Sequence, residues 1–118
     1  MEHLFFNSDK ILNDVAASVF EILGTKSVGG ESTNVLGGTY FQTRVFGLLV
    51  RVEENSYDFE DRYAYMLSVK RDVIGNVYVR DGDVAAIARS IQHILADNMK
   101  TDVAMEVGMT IELCAPAS

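Results

Sequence analysis

Val84, Ile87, Ala88, Ile91, Ile94 and Leu95 recur at helical spacing in one unbroken apolar stripe, behind an acidic N-cap expected at Asp81-Gly82-Asp83. A helix with one apolar face needs a second layer to cover it, and this requirement limits the folds open to the chain. A second helix of the same kind is predicted near the N-terminus. There Ile11, Leu12, Val15, Val19, Ile22 and Leu23 share a stripe, with Asn13, Asp14, Ser18 and Glu21 opposite. Asn7 or Ser8 is expected to cap its start, and Gly24 to end it in the left-handed conformation. Leu4, Phe5 and Phe6 read as a short lead-in against the core, and His3 as part of a mobile terminus.

The covering layer is predicted to be a sheet. Tyr40 to Glu53 is the longest β-like run, apolar on both faces at its centre, with Gly47 as the natural bulge or bend. Arg62 to Arg71 alternates, and Gly75-Asn76 is suited to a two-residue turn that pairs it with Val77-Tyr78-Val79-Arg80. After the second helix, Val103, Met105, Val107, Met109, Ile111 and Leu113 alternate with polar or small residues, as in one strand with a core face. The paired glycines Gly29-Gly30 and Gly37-Gly38 bracket a short edge strand and fit no phosphate-loop pattern. The expected fold is a single α+β domain over residues 1–118. It is a two-layer sandwich of two helices on a mostly antiparallel sheet, in the order α-β-β-β-β-α-β.

Charge narrows the function. Seventeen acidic against ten basic side chains give −7 in 118 residues. Nucleic acid is a poor partner for such a surface, whereas a basic protein is drawn to it by long-range steering. The single cysteine, Cys114, cannot form an internal disulfide, and the N-terminal residues lack the pattern of a secretory signal. With no apolar run of membrane-helix length, the expectation is a cytoplasmic protein with no membrane association.

Five carboxylates and two rings fall within nine residues at Glu53, Glu54, Tyr57, Asp58, Phe59, Glu60 and Asp61, between two strand-like segments. As the long connection of a hairpin they would form an exposed anionic loop. Like charges within a Debye length of about 8–10 Å repel, and a basic partner would relieve that repulsion. Tyr57 and Phe59 have two roles open to them: anchors beside a partner's Arg or Lys, or pins that hold the loop to its own core. The spacing and glycine of a calcium loop are absent, and His3, His93 and Cys114 fall at no metal or nucleophile spacing. A binding role is expected, with no catalytic residue, cofactor or metal.

The segment from Gly37 through Lys70 pairs glycines with a long aromatic-rich strand, an acidic N-x-x-D-F-E-D-like connection and a Tyr-rich strand. It resembles bacterial immunity proteins, and more specifically the small ones of contact-dependent growth-inhibition systems. The resemblance implies a cytoplasmic toxin inhibitor whose partner is a toxin domain, often a nuclease, delivered by a neighbouring cell. The acidic connection is then the expected docking site. The alternative from another class is a small acidic secretion chaperone that binds an exported protein.

Overall fold

In a computed structural model, described for residues 1–57, 59, 61–74 and 77–117, the chain is an α+β two-layer sandwich. Its elements are β1 (Glu2–Phe6), α1 (Leu12–Leu23), β2 (Val28–Glu31), β3 (Thr39–Val45), β4 (Leu48–Glu54), β5 (Tyr65–Arg71), α2 (Asp81–Met99), β6 (Val103–Val107) and β7 (Thr110–Cys114). A short 3-10 turn, Leu36–Gly38, precedes β3. The strands form one antiparallel sheet in the order β2-β3-β4-β5-β1-β6-β7. The class is as the sequence indicates, and the element order is corrected by three additions and the loss of the strand expected at 77–80.

The first is β1. Leu4-Phe5-Phe6 is no lead-in but part of a central strand, zipped between β5 and β6, with all three side chains fully buried. A five-residue run without clear alternation carries little period-two signal, because a strand buried on both faces is apolar on both. His3 is therefore fixed within the sheet.

The second and third are hairpins read as single strands. Phe46 (φ 54°) and Gly47 (φ 74°) both occupy the left-handed region, the mark of a type I′ turn, and they fold the 40–53 run into β3 and β4. A side chain at Gly47 would meet Val77 and Val79 within about 3.2 Å, so this position is also closed by space. Gly108-Met109 likewise reverses the last strand into β6 and β7. A two-residue turn shifts the face parity by one. Val103 and Met105 point into the core, whereas Ile111 and Leu113 point to the opposite face, and Glu112 and Cys114 take the helix side. Residues 77–80 form no strand, Gly75 and Asn76 lie outside the described residues, and the edge strand is Val28–Glu31 rather than the segment between the glycine pairs.

Both helices lie on one face of the sheet. Val15, Val19 and Phe20 of α1 and Val84, Ala88, Ile91 and Leu95 of α2 pack on Leu4, Phe6, Val50, Val52, Leu67 and Val103. Gly24 ends α1 at φ 73°, its own amide donating to the Glu21 carbonyl and that of Thr25 to the Phe20 carbonyl, as the sequence indicates. The start differs: Ile11 occupies the N-cap without a side-chain bond, and Asn7 is used elsewhere. In α2 the expected acidic N-cap is corrected: Arg80 holds that place without a side-chain bond, and Asp81 and Asp83 lie inside the first turn, where carboxylates favour the helix dipole. No described helix is long and apolar enough to cross a membrane.

Candidate functional site: the open sheet face and its loop

Among the described residues, the second sheet face carries no helix. Side chains alternate onto it as Tyr40 and Gln42 from β3, Leu49, Arg51 and Glu53 from β4, and Met66, Ser68 and Lys70 from β5. His3 and Phe5 from β1 and Ala104 and Glu106 from β6 complete it. The connection between β4 and β5 folds back over this face. Phe59 meets Phe5 edge-on with ring centroids 5.8 Å apart, and Tyr63 lies 6.0 Å from the same ring. Phe5, Met66 and Ala104 are buried beneath them as a second, smaller core.

The fold-back is held at both ends by polar bonds. The amide of Asn55 donates to the Ala64 carbonyl at 2.8 Å, and the Asn55 side chain donates to the Tyr63 carbonyl and accepts from the Tyr57 amide. Asn7, leaving β1, clamps the far end: its Nδ2 donates to the Arg62 carbonyl and its Oδ1 accepts from the Ala64 amide at 2.8 Å. A residue expected to cap a helix instead closes the loop.

The seven residues singled out in the sequence are not presented together. Glu53 and Glu54 belong to β4, because the turn at Phe46-Gly47 starts that strand early enough for seven residues to reach Glu54. Glu53 is buried on the open face, and Glu54 points to the helix side, half-buried against the Gly37 turn. Phe59 is a half-buried pin, and Tyr57 keeps half of its surface in solvent, its ring 4.8 Å from that of His3. Asp61 is exposed and has no ion pair among the described residues. Asp58 and Glu60 lie outside the described residues.

Between the loop, residues 32–35 and the sheet lies a pocket of about 320 Å³ that the sequence did not reveal. Leu49 and Met66 contribute apolar wall, while His3, Arg51, Glu53, Ser68 and Lys70 contribute polar groups. Arg51 is held on the sheet surface. Its Nε and Nη2 both donate to Gln42 Oε1, and its guanidinium stacks 3.9 Å above the Tyr40 ring. That ring in turn lies over Gly30, where an added side chain would come within 2.3 Å of Cζ, which explains a glycine in this edge strand. His3 bonds Glu106 through Nδ1 at 3.3 Å. Burial pushes the Glu53 carboxyl above its ordinary value, against the pull of Arg51 and His3. The signal available beforehand was the alternation of Leu49, Arg51 and Glu53, three residues of one face that mix charge with an apolar side chain.

One pairing contradicts the sequence reading. Cys114 Sγ lies 3.2 Å from His93 Nδ1, although 21 residues separate them, because the parity shift in β7 turns Cys114 towards α2. Glu112 reaches the same helix and forms a 2.8 Å ion pair with Arg89. Neither Cys114 nor His93 lines the pocket on the open face. Among the described residues no three His, Cys, Asp or Glu side chains are grouped to hold a metal ion.

No protein-family model matches the chain, and no curated protein or solved structure matches it either.

Proposed function

We propose that the chain is a cytoplasmic immunity protein that binds and neutralises a basic, nuclease-type toxin domain through the fold-back around Tyr57 and Asp61. The observation that carries this reading is the pairing of an exposed carboxylate, Asp61, with a half-exposed ring, Tyr57, on a connection already fixed to the sheet. A fixed loop loses little entropy on docking, so its contacts translate more fully into affinity. Elsewhere the chain neutralises its own cations. Arg44, Arg71, Arg80 and Arg89 pair with Asp72, Asp81, Asp83 and Glu112, which leaves a net −7 to attract a basic partner. Arg62 lies against Phe59 and Tyr63, at 5.9 and 5.7 Å from their centroids, and stiffens the same segment. Glu53 and Glu54, withdrawn into β4, are no longer part of the docking surface.

The test is co-expression with the product of any neighbouring toxin-like gene. The wild-type chain should restore growth and co-purify as a stoichiometric complex, and the double variant Asp61→Lys/Tyr57→Ala should do neither. Full protection by the double variant would remove the fold-back from the docking surface.

One observation favours the secretion-chaperone alternative. Phe46, Val73, Ile74 and Tyr78 are exposed at one end of the molecule, and Met109 and Leu113 at the β6–β7 hairpin. Light scattering separates the two readings: a stable dimer supports the chaperone, and a monomer that binds one folded basic domain supports the inhibitor.

A further inference from the structure

The pocket on the open face is lined by polar groups that are accessible from the cavity. Glu53 is 9 % exposed and Ser68 is 8 % exposed, and among the described residues neither side chain has a hydrogen-bond partner. Lys70 lines the same pocket and forms no ion pair among those residues. Arg51 gives Nε and Nη2 to Gln42, and among the described residues its Nη1 makes no hydrogen bond. Among the described residues neither Glu53 nor Ser68 has a sealed-in orphan atom, so their polar atoms open into the cavity, where a ligand or ordered water can reach them.

Their layout states what kind of ligand. Strand pairing sets three rows across the open face: Glu53 beside Met66, then Arg51 beside Ser68 and His3, then Leu49 beside Lys70. The acid thus stands at one end and the ammonium at the other, roughly 13 Å apart at four strand residues of spacing. The long side chains of Arg51 and Lys70 shorten the gap. Leu49, Met66 and Val35 supply the apolar wall. A purely cationic ligand would satisfy Glu53 and face Arg51 and Lys70. A purely anionic one would satisfy those two and be repelled by Glu53. A volume of about 320 Å³ is at the lower limit of ligand pockets, which span roughly 300–1,000 Å³, and so suits a metabolite.

We propose that this pocket binds a small zwitterion of the free α-amino-acid type, its ammonium on Glu53, its carboxylate between Arg51 and Lys70, and its side chain on Leu49 and Met66. Ser68, in the middle row, is placed to bond either charged end. Tyr57 and Ser56 form the rim, so the ligand would sit beneath the fold-back. The inference is independent of toxin binding, since it uses neither Asp61 nor the exposed face of Tyr57.

Three probes with one hydrocarbon tail test it on the intact protein, by amide chemical-shift titration and calorimetry. They are L-leucine, isoamylamine (its ammonium without the carboxylate) and 4-methylpentanoate (its carboxylate without the ammonium). L-leucine should bind saturably, shifting the amides of Leu49, Glu53, Met66 and Ser68, and each singly charged probe should bind at least about tenfold more weakly. Glu53→Gln should lower leucine affinity about tenfold and strengthen 4-methylpentanoate by removing a like charge, and Lys70→Met should weaken 4-methylpentanoate and strengthen isoamylamine for the same reason. Equal affinity for leucine and either singly charged probe would overturn the proposal in favour of a simple cation or anion site. Absence of saturable shifts for leucine up to about 10 mM would overturn it outright.

Discussion

Removing the Phe59 ring should cost the protein about 2 kcal/mol, and the replacement used should matter in an unusual way. The ring is half-buried and meets the fully buried Phe5 edge-on at 5.8 Å and 78°. About half of the 1.5–3 kcal/mol of a fully buried Phe, plus about 0.5–1 for the edge-on pair, gives that total. For a chain of this length the midpoint of thermal unfolding should fall by roughly 8 °C. Phe59 also has φ 60°, a conformation that costs a residue with a side chain about 1–2 kcal/mol. Glycine escapes that cost but loses about 0.4–1 kcal/mol through its freer unfolded chain. Phe59→Gly should therefore be less damaging than Phe59→Ala by about 0.5–1 kcal/mol, the reverse of the order at an ordinary loop position. Urea unfolding measures both variants. Amide exchange of Asn55 and Arg62, whose amides donate to Ala64 and Phe59, reports whether the loop lifts before the sheet unfolds. A loss below about 0.5 kcal/mol for alanine, or glycine worse than alanine, would refute the pinned fold-back.

Three other substitutions probe separate parts of the structure. Phe46→Asn should stabilise the protein by about 0.5–1 kcal/mol in urea unfolding, because Phe46 is 85 % exposed and Asn suits the left-handed turn position. Glu53→Gln should stabilise at neutral pH. The folded carboxyl holds its proton more tightly than the unfolded one, so wild-type stability falls as pH rises from the ordinary carboxylate range through the raised folded value. The advantage of Gln should disappear below that range, and an unchanged difference at acid and neutral pH would contradict the assignment. Asn7→Ala removes two bonds to the far end of the fold-back and should cost about 1–2 kcal/mol, with faster amide exchange at Ala64 and no change in the exchange of α1.

The helices and the sandwich class were legible because α1 and α2 each carry a single apolar stripe, and a stripe survives in the sequence whatever covers it. The strands were only partly legible. Period-two alternation reports which face a residue takes but not where the chain reverses, and the turns at Phe46-Gly47 and Gly108-Met109 lack the Asn-Gly or Asp-Gly signature. Each missed reversal flipped the faces beyond it. That is why Leu113 was assigned to the core and is exposed, and why Cys114 was separated from His93 and touches it. The acidic stretch was visible as composition, but composition does not divide it between strand and loop. Register does, placing Glu53 and Glu54 opposite Met66 and Tyr65 and leaving Tyr57, Phe59 and Asp61 in the connection. The pocket was not legible, since its groups come from β1, β4, β5 and two loops and meet only after β1 enters the sheet centre.

The most direct measurement is stopped-flow association of the purified chain with its cognate toxin domain over a series of salt concentrations, repeated with Asp61→Lys and with Tyr57→Ala. The charge reversal should slow association and flatten its salt dependence, while loss of the ring should leave association intact and speed dissociation about tenfold. Identical rates and salt slopes for all three proteins would mean that the partner docks elsewhere.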